Sequence, residues 1–317
     1  MRAVVTGGAG FIGSTLVDCL VGRGDNVLVI DDLSSGSDEN LTAGRASELG
    51  SVTLEVLDVA HENTTKVVAS FRPDIVFHLA AQINVTHSVE DPINDARINV
   101  IGLLRVLEGA RLGDAKKVVF TSSGAIYGEV DESQLPLAEH AQRKPLSPYG
   151  VTKLAGATYL DAYGAMHGLG GTTLALANVY GPRQDPHGEA GVIAIFAKRL
   201  LADRACAIFG SGEQTRDFVF VGDVASAFLK AGDRNHGGLF NIGTGVETSV
   251  NKLYRSMASL AGKNYDPDHK VERTGELRRS ALDSTLAAKK LDWFPTTSLD
   301  NGLRETLNWF AANPSPD

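Results

Sequence analysis

The stretch Val4-Val5-Thr6-Gly7-Gly8-Ala9-Gly10-Phe11-Ile12-Gly13 passes from a β-branched run, through a glycine turn, into a helical pattern. A turn without Cβ atoms lets the backbone approach a pyrophosphate at a helix N-terminus, and a last glycine lets helix and strand pack closely. The spacing is GxxGxxG rather than GxGxxG, and glycines alone say little in a chain holding 34 of them. Context strengthens the signal. The next apolar run, 27–30, ends in Asp31-Asp32, where an acid can meet the hydroxyls of an adenosine ribose. A carboxylate there repels a 2′-phosphate and favours NAD over NADP. The blander alternative is that Asp31 caps a turn and the glycines only tighten a βα unit.

Working outward, apolar runs at 2–6, 26–30, 52–57, 75–79, 117–121 and 172–177 alternate with longer helical stretches. Nearly continuous apolar runs are the mark of parallel strands buried on both faces. The fold class expected is α/β: a Rossmann-type, doubly wound parallel sheet with a smaller, discontinuous α/β domain. The first domain covers 1–177, with a returning strand near 239–245. The second covers 178–317, where turn-rich stretches (180–191, 210–216, 237–245) surround a helix near 192–201. Strand C-termini then share one edge, where ligands bind.

The 317 residues, 43% hydrophobic and 21% charged, are ordinary for a globular chain. A net charge of -8 argues against a nucleic-acid binder. Two distant cysteines, Cys19 and Cys206, read as free thiols of a cytoplasmic protein. No apolar run approaches a membrane span, and the glycine turn follows Met1 too closely for a signal peptide. HExxH and GxSxG are both absent, so neither a zinc site nor a hydrolase elbow is expected.

Ser147-Pro148-Tyr149-Gly150-Val151-Thr152-Lys153 reads as a helix start, with Ser147 as N-cap and Pro148 as the first helical residue. Tyr149 and Lys153 then share one face, and a lysine cation can lower the phenol's pKa toward a usable base. Ser123, after the 117–121 run, faces the ligand edge and can bond a substrate hydroxyl beside Tyr149. The alternative for Ser122 and Ser123 is that they satisfy turn backbone groups. Asp58-Val59 follows the third strand and can hold an adenine edge and face, or Asp58 can be a helix N-cap. Arg216 sits in a turn-rich segment, as does Arg273. Guanidinium forks there suit a diphosphate; solvated surface charge is the alternative.

Together these segments resemble the extended short-chain dehydrogenase/reductase family, in its UDP-glucose 4-epimerase (UDP-galactose 4-epimerase) branch. The resemblance rests on TGGAGFIG at 6–13, Asp31-Asp32, HLAA at 78–81, NVIG at 99–102, TSSGAIYG at 121–128 and YGVTK at 149–153. It continues through NVYGPRQ at 178–184, RDFVFVGDVA at 216–225 and FNIGTG at 240–245. It implies an NAD site touching Gly7, Gly10, Phe11, Ile12, Gly13, Asp31, Asp32, Ser35, Gly36, Asp58, Val59, Leu79, Ala80, Ala81, Asn99, Tyr149 and Lys153. Tyr149 would be the base, Lys153 would also hold the nicotinamide ribose, and Ser123 would bind the substrate hydroxyl. Asn178, Arg216 and Arg273 match diphosphate positions, Val192 a substrate contact, Ala207, Ile208 and Phe209 the pyrimidine site, and Glu276 a ribose-binding acid.

The implied reaction is reversible inversion at C4 of a UDP-hexose. Tyr149 takes the hydroxyl proton, C4 hydride leaves to NAD, the 4-keto sugar turns over, and hydride returns to the opposite face. The alternatives are a UDP-glucuronate 4-epimerase, another sugar-nucleotide dehydratase or decarboxylase, and a silent NAD-binding sensor. TSSGAIYG lacks the acid that elimination needs, and the sensor should have lost Tyr149 or Lys153. Ser280, four beyond Glu276, is small where a bulky tyrosine narrows the family's pocket, which predicts acceptance of UDP-GlcNAc/UDP-GalNAc. The family also implies a homodimer, through the helices following 99–102 and Tyr149; Gly102, Ala155 and Gly156 are candidates for close packing there, though a buried face of the monomer would look the same.

Overall fold

Ala3 and Val5 face one side of the first strand and Val4 the other, and all three are fully buried. Such a strand is stable only between two layers of helices. The computed structural model describes residues 1–187, 191–272 and 277–314. Its first half runs β1 (Arg2–Thr6), α1 (Phe11–Gly22), β2 (Asn26–Asp31), α2 (Thr42–Arg45), β3 (Ser51–Val56), α3 (Asn63–Phe71), β4 (Ile75–His78), α4 (Val85–Glu90) and α5 (Pro92–Ala96). A π-helical turn (Arg97–Ile101) leads into α6 (Gly102–Leu112), β5 (Lys117–Ser123), α7 (Pro148–His167) and β6 (Gly170–Leu176).

Next come β7 (Asn178–Tyr180), α8 (Val192–Leu201), β8 (Ala207–Phe209), β9 (Thr215–Phe220), α9 (Val221–Asp233) and β10 (Gly238–Ile242). The chain ends with β11 (Glu247–Ser249), α10 (Val250–Leu260), β12 (Asp268–Lys270), α11 (Thr285–Leu291) and α12 (Leu299–Ala312).

The seven-stranded sheet has the order β10-β6-β5-β4-β1-β2-β3, with every pairing parallel. One face packs Val5, Phe77 and Val119 against Leu16 and Leu20 of α1 and Phe228 of α9. The other packs Val4, Val76 and Phe120 against Leu103 and Leu107 of α6 and Leu160 of α7. Burying each such side chain contributes about 1.5–3 kcal/mol. Strand β10 returns to pair with β6, with Leu239 opposite Thr173.

A second core gathers Ile193, Phe196 and Leu200 of α8, Phe218 of β9, Met257 of α10 and Leu303 and Phe310 of α12. Phe11 and Ile12, at the start of α1, pack against it. The glycine turn is therefore in contact with both cores.

Two expectations are corrected. Arg216 lies in β9 rather than a turn, because β9 pairs with both β7 and β11. Gly102 and Gly156 do not prepare a surface for a partner. A Cβ on Gly102 would lie 2.6 Å from Val59 Cγ1, and one on Gly156 2.4 Å from Phe120 Cζ. Both face the chain's own core.

Candidate active site

The glycine turn is shaped by close backbone approach. Gly7 has φ +68°, and a Cβ there would lie 2.7 Å from the Ala80 nitrogen. One on Gly13 would lie 2.0 Å from the Gly7 carbonyl oxygen. Helix α1 starts without a side-chain cap or a first-turn acid, so its leading amides are offered to a ligand. The 35–37 segment folds over the turn: Ser37 N donates to Ala9 O at 3.1 Å, and a Cβ on Gly36 would touch the Ala9 backbone.

Asp31, at the end of β2, accepts the N–H groups of Ala9 and Leu33, each at 2.9 Å. Burial raises its pKa and these amides oppose the rise. Each carboxylate oxygen keeps acceptor capacity for one of two vicinal hydroxyls. Asp31 thus does cap the turn, and the cap orients it. Asp32 instead accepts from Ser34 N at 3.0 Å on the exposed side. Asp58 accepts from Ala60 N at 2.8 Å and from Arg97 Nη1 at 2.7 Å. It closes a turn and joins an ion pair, while the N-cap position of α3 is held by Glu62, whose side chain makes no capping bond. Val59 is buried against Gly102.

Leu79, Ala80 and Ala81 leave the end of β4 directly over Gly7. Asn99 lies in the π-helical turn, buried, and fixes the same loop: its Oδ1 accepts from Gln82 N at 2.8 Å and its Nδ2 donates to Gln82 O at 3.0 Å. Single π turns of this kind often mark functional sites.

The reacting pair stands on α7. Ser147 caps it by accepting from Gly150 N at 3.1 Å, and Pro148 takes the first helical position. Strand β5 runs two residues past the expected end, because Ser122 and Ser123 continue in register with Ala175 and Leu176 of β6. Ser123 Oγ accepts from Ala125 N at 3.2 Å and so satisfies a turn amide, and the same hydroxyl stands near enough to the Tyr149 phenol to act on its pKa. Lys153 is buried, with Nζ donating to Thr121 O at 2.9 Å and 5.8 Å from the centre of the Tyr149 ring.

Burial pushes the Tyr149 phenol up to about 12; the nearby Ser123 hydroxyl opposes this and the charge of Asp95 adds to it. Burial pushes Lys153 down to about 8, with Asp95 opposing. The expected low pKa of the phenol is not found: burial is the largest cause and holds it above its ordinary value.

These observations fit a dinucleotide. The turn is a cradle that Cβ atoms would fill, Asp31 is aimed at the sheet edge, and Thr121 Oγ1 is buried beside the reacting pair without a hydrogen-bond partner. Among the described residues no three or more His, Cys, Asp or Glu side chains gather as a metal site. No described helix is long and apolar enough to cross a membrane.

On the other lobe, Asn178 starts β7, Val192 opens α8, and Ala207 and Phe209 bound β8, which pairs with β12. Arg216 Nη1 donates to Thr215 O at 2.8 Å. Arg273 and Glu276 lie outside the described residues.

Several side chains here drew no functional reading from the sequence. Asp217 is fully buried and accepts from Thr244 N at 2.9 Å, Gly245 N at 3.0 Å and Leu282 N at 3.2 Å. It ties β9, with Arg216, to the segment leaving β10. Asp95, Thr152 and Gln82 join Asn99 in a second polar cluster; Thr152 stands within the YGVTK segment, and Asp95 lies four residues before Asn99.

Comparison with known proteins agrees with this geometry. The model of the NAD dependent epimerase/dehydratase family matches residues 3–243. A UDP-glucose 4-epimerase of Mycolicibacterium smegmatis is 48% identical over 98% of both chains. A crystal structure of the Thermotoga maritima UDP-glucose 4-epimerase with UDP-glucose superposes with a TM-score of 0.94 at 43% identity, covering 99% of this chain and 100% of that one. The Thermus thermophilus UDP-glucose 4-epimerase in complex with NAD gives 0.90 at 40%, with the same coverage. Matched by the family model over residues 3–243 and by relatives 40–48% identical along nearly the whole chain, this chain belongs to the NAD dependent epimerase/dehydratase family.

Proposed function

We propose that the chain is an NAD-dependent isomerase that inverts C4 of a UDP-hexose, interconverting UDP-glucose and UDP-galactose. The observation that supports this reading is the placing of Tyr149 beside a buried Lys153 whose Nζ is held on Thr121 O, at the end of the strand that carries Ser123. Bound NAD supplies a reversible hydride acceptor. Tyr149 exchanges the proton of the C4 hydroxyl, and Ser123 orients that hydroxyl. Ligand cations close to Tyr149 act against the rise that burial gives its pKa. Arg216, with Arg273, holds the diphosphate while the sugar turns over, so the remote part of the substrate is fixed and the reacting part is not.

In this reading residues 1–177 with 239–245 hold the dinucleotide and the remainder holds the UDP-sugar. Val192, Ala207 and Phe209 are read as uridine contacts. Ser280, half-buried just beyond the described gap, leaves room for an N-acetyl group, so UDP-GlcNAc and UDP-GalNAc are proposed as further substrates. A homodimer is proposed through α6 and α7, which pack side by side. Its support is the exposed apolar set of Ile101, Leu112, Val151, Tyr159 and Met166. A cytoplasmic setting is proposed on the two free thiols.

The test is incubation with NAD and UDP-glucose, with products separated chromatographically. UDP-galactose supports the reading; a 4-keto-6-deoxy sugar as sole product sinks it. Sedimentation of the chain and of Tyr159→Glu tests the dimer.

A further inference from the structure

Asp95 is fully buried, one turn before Asn99. Its Oδ1 accepts from Gln82 Nε2 at 2.9 Å and Asn99 Nδ2 at 3.0 Å, and its Oδ2 accepts from Thr152 Oγ1 at 3.0 Å. The three donors come from the loop after β4, the π-helical turn and α7. Thr152 Oγ1 also lies 3.0 Å from the Tyr149 carbonyl, and Lys153 is the next residue. The carboxylate thus sits behind the reacting pair, joined to the segments that carry Ala80, Asn99 and Tyr149. All three donors are neutral, so hydrogen bonds alone leave a buried net charge, which needs a counter-charge.

We propose that Asp95 is a positioning residue of the reaction: its carboxylate ties the loop after β4 and the π-helical turn to α7, and its charge balances the buried Lys153 ammonium. The proposal rests on the epimerase reading for its role in turnover. The titratable groups facing Asp95 are Tyr149 and Lys153 of α7 and His87 of α4. The charge of Asp95 raises the pKa of both Tyr149 and Lys153. It therefore keeps the lysine protonated and keeps the phenol from ionising early.

Asp95→Asn removes the charge and can keep the contacts. The amide oxygen accepts from Gln82 and Asn99, while the amide nitrogen donates to Thr152, whose hydroxyl turns to the Tyr149 carbonyl. Near-ultraviolet titration of the NAD-bound protein, with the Tyr149→Phe signal subtracted, reports the Tyr149 phenol without any turnover. In Asp95→Asn, the curve is expected to move to lower pH by on the order of one unit, tenfold in the proton equilibrium. Both limbs of the kcat–pH profile for UDP-glucose should move the same way. An unmoved or upward-moved phenol titration overturns the proposal. Asp95→Ser, read identically, covers failure of the amide variant to fold. A wild-type protein inactive on every UDP-hexose would remove the epimerase reading, and the titration would still judge Asp95.

Discussion

Thr6 Oγ1 lies 2.7 Å from His78 Nδ1, and the same hydroxyl receives the N–H of Ala80 at 3.2 Å. Burial, with the Lys153 charge second, takes His78 down to about 3, so at neutral pH the ring is uncharged and shares one hydrogen bond with the threonine hydroxyl. One hydroxyl thereby joins β1 to the end of β4 beneath the Gly7 turn. Thr6→Val keeps the shape and leaves Ala80 N and His78 Nδ1 unpaired. Each such buried group costs about 1–3 kcal/mol. Urea unfolding should show a loss of at least about 2 kcal/mol, and calorimetry a weaker NAD affinity.

Tyr149→Phe removes the phenol that neighbours Ser123 and lies beside Lys153. Loss of a general acid–base group lowers turnover by roughly 10²–10⁴-fold. NAD binding measured by calorimetry should stay within a few-fold of wild type, since the glycine turn and Asp31 are untouched. Retention of wild-type kcat would remove Tyr149 from the chemistry.

Asp217 has a raised pKa because its burial outweighs the bonds it accepts. A Cβ on Gly243 would lie 2.4 Å from Asp217 Oδ2, so the carboxylate fills its cage completely. Asp217→Ala strands three backbone N–H groups beside Arg216. The expected outcome is destabilisation of roughly 3–5 kcal/mol, with the KM for UDP-sugar raised. Asp217→Asn should recover part of the stability, because the amide oxygen still accepts.

The sheet was legible because its strands are apolar runs of the right length, and Leu239–Ile242 betrayed the return to β6 by the same sign. The two extra residues of β5 were not: Ser122 and Ser123 are polar, and only pairing with β6 keeps them extended. Gly102 and Gly156 show why small residues mislead. A missing side chain marks a close neighbour without saying whose, and here Val59 and Phe120 are the neighbours. Ser123, Tyr149 and Lys153 were legible through order along the chain. Their pKa values were not, because the order reveals the nearby charges but not the burial that outweighs them. Asp95 stayed hidden since one acid on a short helix looks like any exposed acid until Gln82, Asn99 and Thr152 close round it.

Lys153 should make stability and activity respond oppositely to alkali. Its folded pKa is about 8, whereas an unfolded lysine holds its proton to about 10.4. Between these values the unfolded chain binds more protons than the folded one, so this group's contribution to unfolding free energy rises with pH. Below about 8 both states are protonated and the burial penalty is constant. Lys153→Met lacks the titration. The stability of wild type relative to this variant, from urea unfolding between pH ~7 and ~10, should therefore increase with pH. Turnover should fall over the same range as the ammonium near Tyr149 is lost. A stability difference that is flat or falls with pH would show that the lysine is not protonated at the expense of folding. A kcat that holds steady past pH 9 would show that its charge is not required.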